Sequence, residues 1–550
     1  MKQEIAHKIA EIVKNVFDID GAIVLTRPDE QFGDYATNVA LQLAGQLGKN
    51  PREVAEELAV KIRENLNDII QDVSVAGPGF INLTVKTAIL LQGLTTQAEP
   101  VRKDQTVVIE TNNPNPFKAM HIGHAFNAIV ADTAANLLEA SGAHTYRVSY
   151  HGDVGAHVGK SMYSLLKYIG GDSTKLDAIP VSERNHFMSR MYAEGAEAYK
   201  EDEAAKLEID ELAKQSFTRT DPLYAQVYDT CKEWSFTQID ETVARLGNKP
   251  IVRRFLESEA DERGVAIVKK HVPEVFQESD GALIFAGSQY GSFDNVFVSA
   301  RGLGLYGARD LGLMQLKNEY FHPVKSYIVT AEEQRAYFKG VIAAAELCLP
   351  ELKDVTVNIS TGTVKLTTGK MSSRTGEVLE IDWLFDQIIG AIKQRGGQDE
   401  DSISIGALRY QFLKVRIGSD VVFDVNEAVS VEGNSGPYLQ YAHARARSIL
   451  AKQPGGSEKI TITDLQPGER SLVRKLGEYS EAIDKAIAEL MPHHVCNYLY
   501  ELAQTFNRFY EHNRVMGDER QALRLQLVQE YADALETGLT LLGIIAPHKM

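Results

Sequence analysis

At 550 residues the chain is too long for one compact core, and about three or four domains are expected. Its 44% hydrophobic and 24% charged residues exclude a disordered or fibrous chain, and no apolar run reaches membrane-spanning length. The formal charge of −17 excludes an all-over nucleic-acid coat but leaves room for a local basic patch.

The opening MKQEIAHKIAEIVKNVF predicts an amphipathic helix with Ile5, Ile9, Ile12 and Val13 on one face. It lacks the apolar core of a signal peptide, so a cytoplasmic location is the default expectation. IVLTRP follows, then FGDYATNVALQLAGQLGKNPREVAEELAVKIREN with helical periodicity, then VSVAGPGFINLTV as strand, turn and strand. Residues 1–95 thus read as a small α+β module.

After the polar hinge QAEPVRKDQ, Val107, Val108 and Ile109 form a short buried strand. The stretch PNPFKAMHIGHAFNAIVADTAANLLEASG then begins a helix. Its apolar face is Phe126, Ile129, Val130, Thr133, Leu137 and Leu138, and Gly142 ends it. Strand, tight loop and helix make the first unit of a parallel α/β sheet. Residues from about 160 to about 280 read as a charge-rich helical insertion in a catalytic unit spanning 96–380. GALIFAG, DNVFVSA and YIVTAEE are sheet-like, and VTVNISTGTVKLTTGKMSSRTGEV predicts a hairpin before a glycine-flanked loop. From Ile381 the pattern is helical to the end: a connecting segment at 381–429, then an all-α domain at 430–550. The last 120 residues hold 13 Lys and Arg against 15 Asp and Glu, so this part is nearly neutral in an acidic chain.

Two short stretches carry chemistry. His121 and His124 stand three apart around Gly123 at the helix mouth, where backbone N–H groups and the positive dipole end are available. Two imidazoles and a bare backbone suit a phosphate whose charge grows during reaction. The same pair also suits a helix cap or part of a metal site. In GKMSSRTG, Lys370 and Arg374 flank Met371, Ser372 and Ser373 between glycines. This is not a Walker A loop, but a cationic loop of this kind can close over a triphosphate. The three cysteines, Cys231, Cys348 and Cys496, have no CxxC spacing, and no structural zinc or disulfide is expected.

Together HIGH and KMSSR resemble the signature motifs of class I aminoacyl-tRNA synthetases. The whole chain is similar to the arginyl-tRNA synthetase family. FGDYATNVAL resembles that family's N-terminal module; GPYLQYAHARARSI and LLGIIAPHKM resemble its C-terminal anticodon-binding domain. The resemblance implies a Rossmann-like catalytic domain and a monomer that joins L-arginine to tRNA(Arg) with ATP and Mg2+. It implies that His121, His124, Lys370 and Lys118 act on the phosphates, with Gly123, Met371, Ser372 and Ser373 beside the ATP. It assigns arginine binding to Glu110, Asn113, Pro114, Asn115, His124, Tyr306, Asp310 and Gln334. In LYGARDLG, Tyr306 and Asp310 are four apart, on one face if helical. A carboxylate accepts a guanidinium as a bidentate pair, and a tyrosine meets its plane or edge. The resemblance also assigns tRNA contacts to Phe32, Tyr35 and Asn38 in the N-terminal module, and to Tyr438, Tyr441, Arg445, Tyr510 and Met550 in the C-terminal domain. Aromatics beside arginines suit unstacked bases. The chain departs from the family's Gly-Asp-Trp-Gly run at Val154, has His157 where glutamine is common, and has Asn112 and Asn113 in place of serines.

Overall fold

The computed structural model describes residues 1–94, 100–367, 379–397, 400–452 and 464–550. In the N-terminal module β1 (Tyr35–Thr37), β2 (Ile70–Ala76) and β3 (Phe80–Val85) pair antiparallel in the order β1-β3-β2. The Lys2–Phe17 helix buries Ile5, Ile9, Ile12 and Val13, the face its sequence predicts. Arg27 pairs with Glu481 at 2.7 Å and Arg470 with Asp34 at 2.6 Å, fastening this module to the C-terminal helices.

The central sheet holds β4 (Thr106–Asn112), β5 (His144–His151) and β6 (Arg253–Leu256). A separate antiparallel sheet of β7 (Phe276–Ser279), β8 (Ala282–Phe285) and β9 (Asn295–Val298) precedes its last strands, β10 (Lys325–Ala331) and β11 (Thr356–Thr361). The five central strands run parallel in the order β11-β10-β4-β5-β6. β4 comes first in the chain yet lies at the centre. The chain therefore winds outward from it in both directions. Loops leaving β4 and β10 diverge, and a crevice opens at their carboxyl ends. Parallel neighbours need crossovers, and the Ile122–Ala140 helix supplies the one from β4 to β5. Val107, Val108 and Ile109 are buried, as a strand covered on both sides requires.

Three expectations need correction. The helical insertion does not run to 280. Its helices end with Pro222–Arg245, and β6 returns to the central sheet. β6 is a four-residue edge strand with only Phe255 buried, so it gave no periodic signal. The hairpin at VTVNISTGTVKL does not form: β11 joins β10, while Val364–Leu366 pairs in parallel with Val421–Phe423. The latter strand also interrupts the segment expected to be wholly helical. Three residues are too few for a period to show.

Arg409 joins the units. It is fully buried and donates to Leu542 O (2.7 Å), Leu246 O (3.0 Å), Asn248 Oδ1 (2.8 Å), Asp132 Oδ2 (3.0 Å) and Thr133 Oγ1 (3.1 Å). One guanidinium thereby ties the histidine helix to the end of the insertion and to the end of the last helix. A buried charge is tolerable only with such full pairing. Among the described residues, no helix is long and apolar enough to cross a membrane.

Candidate active site

The helix after β4 begins with the two histidines, and their geometry corrects the reading of the helix mouth. His121 is the N-cap. Its Nδ1 accepts from the amides of Gly123 (3.1 Å) and His124 (3.3 Å). His124 Nδ1 in turn accepts from the His121 amide at 3.4 Å, a reciprocal capping box made from imidazoles. The Ile122 amide donates to Leu379 O at 3.0 Å, and Ala125 is bonded within the helix. The first-turn N–H groups are therefore occupied rather than free. A Cβ on Gly123 would lie 3.1 Å from the His121 ring, so the bare backbone here makes room for that ring.

With each Nδ1 accepting, the ring protons lie on Nε2. The rings stack, 3.6 Å between centroids. Burial, then Lys118, pushes His121 down to about 4; burial, then His121, drives His124 well below its ordinary value. Both are neutral Nε2–H donors at neutral pH, not imidazolium ions. Residues 379–381 pack against residues 120–122 through the amides of Ile122 and Ile381, which anchors the described chain after GKMSSRTG at this helix mouth. Lys370, Met371, Ser372 and Ser373 lie outside the described residues.

A cleft of about 480 Å³ opens at the carboxyl ends of β4, β5 and β10. Of the residues expected to hold the amino acid, Glu110, Asn113, Asn115, His124, Tyr306, Asp310 and Gln334 line it. Pro114 does not. It is buried, and its carbonyl accepts from His151 Nδ1. Tyr306 and Asp310 lie on the Tyr306–Phe321 helix, one turn apart, with Tyr306 69% exposed at the mouth. That helix sits close on Glu257–Lys270 because Gly264 and Gly312 let the backbones touch; a Cβ on Gly264 would meet Ala308 O at 1.7 Å.

The charges in the cleft are unequal. Glu110 forms a buried ion pair with Lys317 at 2.6 Å, and Glu257 pairs with Arg309 at 2.8 Å. Glu110 Oε2 also accepts from Asn113 Nδ2 at 2.6 Å, and Asn113 Oδ1 accepts from the Tyr150 amide at 2.9 Å. Asn115 Oδ1 accepts from Gly152 N at 2.9 Å. Glu110, Asn113 and Asn115 thus rivet β4 to β5. Asp310 receives only the Tyr337 hydroxyl, and no cation pairs with it among the described residues. Burial pushes its carboxyl up to about 7.

A cationic side chain entering here would draw the Asp310 carboxyl back toward its ordinary value, so binding should release a proton near neutral pH. The arginine dissociation constant should rise about tenfold per pH unit as pH falls below about 7, and should level off above about 8. Calorimetric titration in buffers of different ionisation heat checks this. A constant that is flat from about pH 6 to 8 would place the cation elsewhere. The sign for the empty protein is opposite to that of an ion-paired carboxylate. Its stability falls as pH rises from the unfolded carboxyl value toward the raised one.

Lys118 lines an adjoining cavity of about 380 Å³ with Lys160, His157, Val154 and Arg309; Asn115, Glu257 and Tyr306 border both spaces. Burial holds Lys118 below its ordinary value, and Lys160 adds to the effect against Glu257. His157 donates to Gly152 O at 2.6 Å and burial pushes it down to about 4, so it stays neutral. Val154 is buried. Sequence reasoning missed Tyr150, Tyr337, Glu257 and Lys317. The available signal was position: Tyr150 and Glu257 sit at the carboxyl ends of sheet strands, where such sites form.

The expected tRNA contacts divide. Tyr35 is 0% exposed; its hydroxyl accepts from Arg27 at 2.9 Å and donates to Glu481 at 3.2 Å. It is an interdomain residue and cannot meet RNA. Phe32 and Asn38 are exposed. On the C-terminal domain, Arg445 lies over the Tyr510 ring at 4.8 Å, and Asn507 donates to Tyr438 Oη at 2.9 Å. Tyr441 on the same Gly436–Leu450 helix is exposed, as is Met550.

The sheet is doubly wound and the histidine-capped helix starts at its switch point, an arrangement that suits nucleotide chemistry. Residues 85–424 match the model for tRNA synthetases class I (R), catalytic domain; residues 1–85 match the arginyl tRNA synthetase N terminal domain, and 439–550 the DALR anticodon binding domain. Similar proteins include the arginine–tRNA ligases of Borrelia hermsii (30% identical, 82% of this chain and 81% of that one) and Thermobifida fusca (29%, 94% of each). Solved arginyl-tRNA synthetases of Thermus thermophilus (TM-score 0.81, 24% identical, 100% of each chain) and Plasmodium falciparum (TM-score 0.81, 19%, 100% and 99%) share the fold. The chain belongs to the arginyl-tRNA synthetase family.

Proposed function

We propose that this arginine–tRNA ligase works through one cleft in two steps, with Asp310 anchoring the guanidinium and the histidine pair facing the α-phosphate. The observation that carries the reading is Asp310 itself: a carboxyl in the cleft wall that no cation pairs among the described residues and that is held near 7, beside two carboxylates already paired. First, an arginine carboxylate oxygen attacks the ATP α-phosphorus. The new O–P bond replaces the bond to pyrophosphate, which leaves. The protein supplies no nucleophile. It orients the reactants and places Nε2–H donors where charge grows. Lys118 and Lys370 balance the charge on the leaving side. Magnesium would travel with the ATP, held by phosphates and water, and the reading asks for no protein cage around it. Second, a terminal ribose hydroxyl of tRNA attacks the arginyl carbonyl and AMP leaves. Family resemblance assigns the 2′-hydroxyl and a cytoplasmic monomer, and it supports a need for bound tRNA in the first step.

The patch of Tyr438, Tyr441, Arg445 and Tyr510 is read as the surface for anticodon bases of tRNA(Arg). Stacking contributes about 1–3 kcal/mol per base. Tyr510→Ala should raise the tRNA KM about tenfold or more, and excess tRNA should restore the charging rate. The experiment is aminoacylation of arginine tRNA transcripts with native and swapped anticodons. If the parent charges both equally well, this surface does not read the anticodon.

A further inference from the structure

Among the described residues that line the cleft, Asn112 Oδ1 and the Tyr150 hydroxyl are buried without a hydrogen-bond partner. Tyr150, at the carboxyl end of β5, lines the cleft. Its hydroxyl is shut off from water, and no group partners it among the described residues. A buried, unmade hydrogen bond costs free energy, and native folds leave few of them. This one lies among charges: Asp310 acts on it most strongly, then Glu257.

The residue is also held firmly in place. Lys317 Nζ bonds Glu110 Oε1 at 2.6 Å, Glu110 Oε2 bonds Asn113 Nδ2 at 2.6 Å, and Asn113 Oδ1 bonds the Tyr150 amide at 2.9 Å. This relay joins four residues from three stretches of the chain. It neutralises Glu110 and fixes the backbone from which the phenol projects. Among the described residues, a rigid hydroxyl without a partner and a carboxyl without a cation present two oxygen-bearing groups to one planar cation. The carboxylate can take two guanidinium N–H groups, and the phenol oxygen can accept another.

We propose that the Tyr150 hydroxyl is a specificity-determining contact for the guanidinium, made only when the amino acid is bound. The inference rests on the reading of Asp310 as the guanidinium anchor. Tyr150→Phe removes one oxygen and little else, so the parent, this variant and Asp310→Asn form the test set. Each is measured by thermal melting with and without arginine, and by steady-state charging of tRNA. For Tyr150→Phe the arginine KM should rise about tenfold or more, with kcat and the ATP KM nearly unchanged. Its melting temperature without arginine should equal or exceed the parent's, because the orphan hydroxyl is gone, while its gain on adding arginine should shrink. A merely structural tyrosine would instead lower the melting temperature of the empty protein. An unchanged arginine KM and an unchanged melting shift would overturn the proposal, as would a fall in empty-state stability with all KM values moving together. If Asp310→Asn loses its arginine response and Tyr150→Phe keeps it, this inference alone fails. If both keep it, the reading of Asp310 fails first.

Discussion

Asp310→Asn should raise the arginine KM by about 30- to 700-fold, equivalent to about 2–4 kcal/mol, and leave the ATP KM close to that of the parent. The substitution keeps the size of the side chain and an acceptor for the Tyr337 hydroxyl. What it removes is the charge. The neighbouring carboxylates cannot substitute, since Glu110 is committed to Lys317 and Glu257 to Arg309. The same change would also abolish the pH dependence expected of arginine binding, because an amide does not titrate and the carboxyl held near 7 would be gone. Steady-state kinetics at two pH values reads both effects. An arginine KM within about twofold of the parent would remove Asp310 from the pocket.

His124→Ala should lower kcat of amino-acid activation by about 100- to 1,000-fold, the cost of losing one fixed donor to developing charge. The arginine and ATP KM values should move far less, since the donor acts mainly in the transition state. Because His124 also accepts from the His121 amide, some loss of stability is expected, about 1 kcal/mol for a lost cap. Circular dichroism separates that modest effect from unfolding. Lys370→Ala should lower kcat in the same way. The rings are neutral, so kcat should show no histidine limb between about pH 5 and 8 from this pair. A folded His124→Ala variant that exchanges pyrophosphate at the parental rate would take the imidazole out of the reaction.

The sequence made some of this legible and hid the rest for physical reasons. β4 and its helix stood out because a buried parallel strand and a long apolar helix each leave dense local signals, and the histidine pair gained meaning only together with KMSSR. Their detailed role was less legible. HxxH spacing does not say which ring nitrogen faces the backbone, and the reciprocal cap consumes the amides that a bare helix mouth would offer. Tyr35 misled for a related reason. A motif match reports that a residue belongs to a module, but not which way it points, and here it points into the interface with Glu481. β6 and Val421–Phe423 are too short to show a period.

The relay behind the cleft was invisible for a different reason. Lys317 and Glu110 lie 207 residues apart, and only the crossover of the sheet brings them together. Nothing local to LGLMQLKNEY marks Lys317 as the partner of a strand-end glutamate. The same holds for Tyr337, which reaches Asp310 from the next helix. Spacing rules report neighbours on one element; sites at a switch point draw on several. Asp310 itself was found through resemblance, but its lack of a cation among the described residues emerged only when the other carboxylates were seen to be paired.

Activation of arginine in this one cleft is tested most directly by ATP–pyrophosphate exchange with each of the amino acids, with and without added tRNA. Exchange with arginine should exceed that with every other amino acid, be raised by tRNA and, at arginine concentrations near the parent's KM, fall sharply in Asp310→Asn. Exchange driven by a different amino acid, or none with arginine when the folded protein is given ATP, magnesium and tRNA, would contradict it.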